Sequence, residues 1–210
     1  MMNKHHTDNR QNLLRILSAA TFIIFFQLYM VAPLIPSLSA FFNISEQTVG
    51  LIVPAYLIPY GVCTLFYGLL ADKIGSKRII LTSLLVFAIL TALTAFSQSV
   101  GQLIMWRFIT GVGASGVVPI SLAWISQAYS FEERGRPLGW LFGAMAGGGA
   151  FGSTVGVVLE PFVGWKMLFA GVAVIALIIW IILYLTYQKI ATPQVAKHEL
   201  TLSKVFNGYK

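Results

Sequence analysis

The chain has 210 residues, 57% of them hydrophobic and 10% charged, and a mean hydropathy of +0.80, which excludes a soluble globular domain of ordinary composition and reads as a membrane protein. The net charge of +7 does not point to nucleic acid, because Lys and Arg sit in short segments between apolar runs instead of gathering on one polar face. The lone cysteine, Cys63, lies inside an apolar run, which excludes a disulfide framework and a CxxC metal site.

The first 13 residues are polar and lead into an apolar run too long for a cleaved signal peptide, so residues 1–13 read as a short cytoplasmic tail. A helix needs about 20 apolar residues to cross a bilayer. Six segments are predicted to do so: Leu14–Leu38, Val49–Ala71, Ile79–Phe96, Leu103–Ser126, Leu138–Leu159 and Met167–Tyr187. Residues 14–187 therefore form an all-α bundle. If the N-terminus is inside, Lys4, Arg10, Arg15, Lys73, Lys77, Arg78, Arg134, Arg136, Lys189, Lys197, Lys204 and Lys210 are all cytoplasmic, and Lys166 alone is outside. This asymmetry predicts both termini in the cytoplasm, and the chain is expected to be a multi-pass protein of a cell inner (plasma) membrane.

Within the spans, polar side chains are few and each needs a reason. Gln27 is the only strongly polar residue in the middle of span one, with Met30 and Leu34 continuing its face; it either bonds a neighbouring helix or touches substrate. Tyr56 and Tyr60, one turn apart in span two, can line a cavity. Arg107 is the one ionised residue within a span, where a charge costs about 2.5–3.5 kcal/mol on insertion scales and ordinarily faces a cavity or a partner. Snorkelling to the headgroups is its alternative. Thr110, Gly111 and Ala114 share its helical face and are expected to keep that face open. In span five, Gly148, Gly152 and Gly156 recur every fourth residue and form a stripe for close helix packing. Trp106, Trp140 and Trp165 lie near span ends and read as interface anchors.

Between spans two and three stands GLLADKIGSKR, Gly68 to Arg78. Gly68 is expected to let two helices approach, Gly75 to permit a tight turn, and Asp72 to pair with cations such as Arg134 or Arg136 of the FEERGR loop. With Lys77 and Arg78, the segment closely resembles the GxLaDrxGrkr signature of the major facilitator superfamily of secondary transporters, which lies in the same loop. RFITGVGASG, Arg107 to Gly116 with Gly111 and Gly113, resembles the family's RxxxGxGxA pattern, which sets an arginine near the central cavity. The glycines of span five resemble those of drug:proton antiporters, except that Ser153 stands where a proline is usual, so a weaker kink is expected there. GWKMLF, Gly164 to Phe169, resembles the family's entry to span six. A short echo between Gly68–Lys77 and Gly156–Lys166, on opposite membrane sides, agrees with inverted three-helix repeats.

The resemblance implies the N-terminal six-helix half of a transporter, with residues 188–210 beginning a cytoplasmic central loop, and a role in small-molecule transport, multidrug or metabolite efflux, with proton coupling. No titratable carboxylate or histidine lies at depth in the six segments: Glu160 and Asp72 are at edges, and His5, His6 and His198 are in the tails. Expected partners are the lipid bilayer, a small-molecule substrate and a C-terminal half, second chain or homodimer mate; neither cofactor nor metal is implied. Two rivals are a non-transporting half with an interaction or regulatory role, and a rhomboid-like intramembrane protease, which Gly113-Ala114-Ser115-Gly116 resembles. The protease needs a histidine base near its serine, and span six has none.

Overall fold

The computed structural model describes residues 2–189, with side chains from 9 to 188. The expected central-loop segment is outside the described residues from residue 190 onward, as is His198. Among the described residues every regular element is helical. The expected tail belongs to the first helix from residue 2, because α1 runs Met2–Met30. Prolines shape the next segment: Pro33 sits in the first turn of a 3₁₀ turn, Ala32–Leu34, and Pro36 in the first turn of α2, Ile35–Phe42, where a missing N–H costs nothing. Asn43 in the left-handed conformation ends α2. Ser45 then caps α3, Glu46–Gly50, by accepting from the Thr48 N–H.

The bundle continues with α4 (Ile52–Ile74), α5 (Ser76–Ala95), α6 (Val100–Ala114), α7 (Val117–Ala128) and α8 (Gly135–Lys189). Five stretches are long and apolar enough to cross a membrane, not the six expected: Asn9–Phe42, Glu46–Ile74, Ser76–Ala95, Val100–Ala128 and Phe131–Gln188. The difference lies in the last, where expected spans five and six are merged in a stretch of 58 residues. At 1.5 Å per residue it would reach about 87 Å if straight, far more than a hydrocarbon core of about 30 Å. It is not straight. Gly164, at φ 76° and ψ 157°, interrupts it, a backbone conformation that glycine adopts without a Cβ clash. Gly75, at φ 99°, makes the comparable break between α4 and α5.

The two arms of α8 run in defined directions. Gly148, Gly152 and Gly156 meet Phe22, Phe26 and Met30 in that order, so arm 135–163 runs parallel to α1. Lys77 Nζ donates to the Tyr187 carbonyl at 2.9 Å, and Trp180 Nε1 to the Leu81 carbonyl at 2.9 Å, so arm 165–189 runs antiparallel to α5. Beside the Gly164 break, Trp165 is buried against Phe41, Phe42 and Phe169, and is not the interface anchor expected from its position. Ser153 Oγ reaches the Tyr29 carbonyl at 3.5 Å, and its arm stays helical through that residue.

The main core is an apolar cluster in which Leu17, Ile24, Leu34, Ile52, Phe87, Phe169 and Leu183 are inaccessible, and a second, smaller cluster joins Leu14, Ile125, Tyr129 and Leu141. By contrast α4 leaves Leu57, Ile58, Val62, Leu65, Phe66 and Leu69 exposed along one side. Such a face is stable in hydrocarbon or against another apolar surface, not in water.

The glycine stripe generates a test. A Cβ on Gly152 would overlap the Phe26 carbonyl, and one on Gly156 would lie 2.7 Å from the Met30 carbonyl oxygen. Gly152→Leu is therefore expected to lower stability in detergent by about 3 kcal/mol or more, through overpacking that only a backbone shift can relieve. Gly139→Leu, where a Cβ meets nothing within 4 Å, is expected to leave the unfolding temperature unchanged or raised, since leucine is the better helix former.

Candidate functional site

Four helices converge on one buried charge. Arg107, near the middle of α6, is completely inaccessible. Its Nη1 donates to Gln27 Oε1 of α1 at 2.7 Å, its Nε to the Ile52 carbonyl at the start of α4 at 3.4 Å, and its guanidinium lies 4.2 Å from the centre of the Tyr56 ring. Gln27 Nε2 in turn donates to Thr91 Oγ1 of α5 at 3.1 Å. Arg107 therefore neither snorkels nor looks into an open cavity: the bundle itself solvates it. Hydrogen bonds to a charged group contribute about 1.5–3 kcal/mol each and a desolvated cation–π contact about 2 kcal/mol, enough to offset the insertion cost of the charge.

The arrangement is not saturated. Arg107 Nη2 and the Tyr56 hydroxyl are buried without hydrogen-bond partners among the described residues. Both are competent to bind a negatively charged or carbonyl oxygen. Tyr56 stacks on Tyr60 with centroids 5.7 Å apart, and Tyr60 meets Phe25 edge-on at 6.5 Å. An aromatic wall thus leads from the buried charge to the half-buried Tyr60.

The neighbouring glycines make this convergence possible. A Cβ on Gly111 would overlap the Tyr56 carbonyl, and one on Gly113 would lie 2.6 Å from Val86 Cγ1, so α6 approaches α4 with one glycine and α5 with the other. The face holding Gly111 and Ala114 is packed, not open as expected. Thr110 is buried and spends its hydroxyl on the Trp106 carbonyl at 2.6 Å, within its own helix. Sequence reasoning singled out Gln27, Tyr56 and Arg107 separately and missed that they touch. It also missed Thr91, which an apolar span hides, and Gly116, where a Cβ would strike Ser83 and the Tyr67 ring.

The loop motif is arranged differently from expectation. Asp72 is exposed and forms no ion pair among the described residues. Arg134 donates instead to the Ser126 carbonyl at 2.5 Å and the Tyr129 carbonyl at 3.1 Å, closing the end of α7. A Cβ on Gly68 would meet nothing within 4 Å, so that glycine brings no two helices of this bundle together. Arg78 and Arg136 are exposed. The helix ends are joined by Lys77 on Tyr187 and by Arg10, whose Nη1 donates to the Ala128 carbonyl at 2.8 Å and lies 3.9 Å from Glu133. Among the described residues no group of three His, Cys, Asp or Glu could hold a metal.

A model of the Major Facilitator Superfamily matches residues 17–207. The chain belongs to this superfamily. It is 33% identical to the riboflavin transporter RibZ of Clostridioides difficile over 136 residues, which cover 64% of this chain and 29% of that protein. It is 26% identical to the probable sulfoacetate transporter SauU of Cupriavidus necator, over 89% of this chain and 43% of that one. Among solved structures it resembles an inward-facing bacterial homolog of the human lysosomal transporter Spinster, with a TM-score of 0.75 at 18% identity, covering 85% of this chain and 43% of that one. This superfamily member is a multi-pass membrane protein, and it spans less than half the length of these relatives.

The geometry orders two substitutions. Gln27→Leu leaves the buried guanidinium without its best acceptor and is expected to cost about 1–3 kcal/mol or more. Arg107→Met removes the charge while Gln27 keeps Thr91, and is expected to cost less. Thermal unfolding of the purified variants in detergent reads the order, and the reverse order would mean that Gln27 does not solvate the charge.

Proposed function

We propose that this chain is one bundle of a secondary transporter for small organic molecules, of the multidrug or metabolite efflux kind. In this reading it crosses the inner (plasma) membrane six times, as two inverted three-helix repeats with both termini in the cytoplasm. The carrying observation is the buried Arg107–Gln27–Tyr56 cluster, a charge held at membrane depth with one nitrogen and one hydroxyl unpartnered. An intramembrane ionisable residue of this kind marks a substrate or ion pathway. The six crossings are supported by the break at Gly164 and the directions of the two α8 arms. The repeat is supported by Gly75 and Gly164, the two positive-φ glycines among the described residues, which stand at matching places in the sequence echo.

A second bundle, whether a C-terminal half, another chain or a second copy, has a place to pack: the exposed face of α4, which carries Gly68 and Asp72 at its end. Alternating access needs two bundles that rock about a shared midplane site. Similarity to relatives named for riboflavin and sulfoacetate supports a small organic solute. Gating falls to Asp72, facing the second bundle and not Arg134 or Arg136.

Liposome flux tests the reading. The 210-residue chain alone is expected to move no solute above background, whereas a form carrying a second bundle is expected to give saturable, solute-specific flux. In that form Arg107→Gln should lower flux at least about tenfold, the equivalent of one charge-assisted hydrogen bond, and Asp72→Asn should lower it with membrane insertion intact. Absence of flux from the two-bundle form across a panel of small organic solutes would favour the interaction or regulatory reading.

A further inference from the structure

The first arm of α8 packs on α1 along one face, through Gly148, Gly152 and Gly156 and, nearer the end that carries Arg15 and Arg136, through Leu141, which is buried in one cluster with Leu14. Beside that contact the arm is lined by small residues, and at Gly143 and Gly139 a Cβ would meet nothing within 4 Å. Between α1 and this side of the arm, with Ile175 and Ile179 of the second arm behind, lies a groove of about 950 Å³.

We propose that this groove binds a phospholipid with an anionic headgroup, its phosphate held between Arg15 and Arg136 and an acyl chain lying along Phe22, Gly143 and Phe151. The two arginines are exposed at the mouth, and neither has an ion-pair partner among the described residues. Arg136 is the second residue of α8, so the unpaired N–H groups of that helix terminus add to the positive field there. Deeper, the walls are almost entirely apolar, and Trp140 stands half-exposed near the mouth as interfacial tryptophans do. The single polar group buried in the wall, the Ser18 hydroxyl, has no hydrogen-bond partner among the described residues.

Length decides between occupants. From Arg15 at the mouth to Phe26 at the closed end is eleven residues of α1, about 16 Å along the axis, or half of a hydrocarbon core about 30 Å thick. That is the depth of one leaflet. A polar solute would find few hydrogen-bonding groups along this wall beyond Ser18 and the indole N–H of Trp140, and a second helix would need a longer groove than one whose lining ends at Phe26 and Phe151. Basic pockets between transmembrane helices at the headgroup level suit anionic lipids. Lipid binding of this kind does not depend on transport.

The purified 210-residue chain in mild detergent supplies the test. Phosphatidylglycerol is expected to be retained in native mass spectra and to raise the unfolding temperature, and phosphatidylcholine with the same chains to do so far less. At about fivefold per arginine near the surface, Arg15→Gln with Arg136→Gln should reduce the preference for phosphatidylglycerol roughly twenty-five-fold. Gly143→Leu, at a position where a Cβ meets nothing within 4 Å, adds a side chain at the groove wall, and should lower retention of both lipids while leaving the lipid-free unfolding temperature intact. Equal retention of the two lipids by the unmodified chain, or variants that bind as it does, would overturn the proposal. So would competition by glycerol phosphate at equal concentration, which would indicate a soluble anion site. A dimer that excludes lipid would overturn it too, by showing that a second copy covers the groove.

Discussion

A guanidinium at membrane depth has no water to turn to, and the rest of this bundle is arranged around that constraint. Arg107 is solvated by Gln27, by the Ile52 carbonyl and by the face of Tyr56, and Gln27 is fixed in turn by Thr91. Those partners sit on α1, α4 and α5, so the charge defines where three other helices stand relative to α6. Gly111 and Gly113 follow as a requirement: side chains there would hold α6 too far from the groups that satisfy its arginine. An apolar residue in place of Arg107 would pack, but it would not specify which helices meet.

Once α4 turns Tyr56 and Ile52 inward, the opposite side of that helix has nothing in this bundle to cover it. A face turned to water would carry polar side chains, yet this one presents Ile58, Val62, Leu65, Phe66 and Leu69, a continuous apolar surface. The same orientation explains why Gly68 and Asp72 contact no helix of the bundle. They belong to the outward side of α4, so the loop motif contributes its turn, through Gly75, while its aspartate remains exposed.

Much of this was legible from residue type and spacing. The every-fourth-residue glycines of span five meet the α1 backbone because small side chains at that interval form one stripe. Gly75 makes the expected turn because its backbone chemistry is local, whereas Pro33 and Pro36 interrupt a segment expected to run unbroken from Leu14 to Leu38. Contacts across helices were not legible in the same way. Nothing in a single sequence distinguishes an arginine that faces a cavity from one whose guanidinium a glutamine 80 residues away has solvated. Trp165 shows the same limit: proximity to a span end suggested an interface, but Phe41 and Phe42 arrive from another element and bury it. The break in the fifth stretch falls at Gly164, between the segments expected as spans five and six, and only the backbone shows that this glycine leaves the helical region.

The basic residues at one end of the bundle do more than bias topology. Helix ends leave carbonyls without intrahelical donors, and a carboxylate cannot satisfy them. Arg10, Lys77 and Arg134 each donate to such a carbonyl, at Ala128, Tyr187 and the pair Ser126 and Tyr129. A cation fits that position by both hydrogen bonding and the sign of the helix dipole. An aspartate was therefore never needed to join these ends, which accounts for the unpaired Asp72. It also separates the basic residues into two groups. Those that close helix ends are occupied by the protein, whereas Arg15 and Arg136 stand exposed beside the groove that α1 and α8 line, without an ion-pair partner among the described residues. Charge left over by the fold, beside an apolar groove one leaflet deep, is directed at the membrane instead of at the chain.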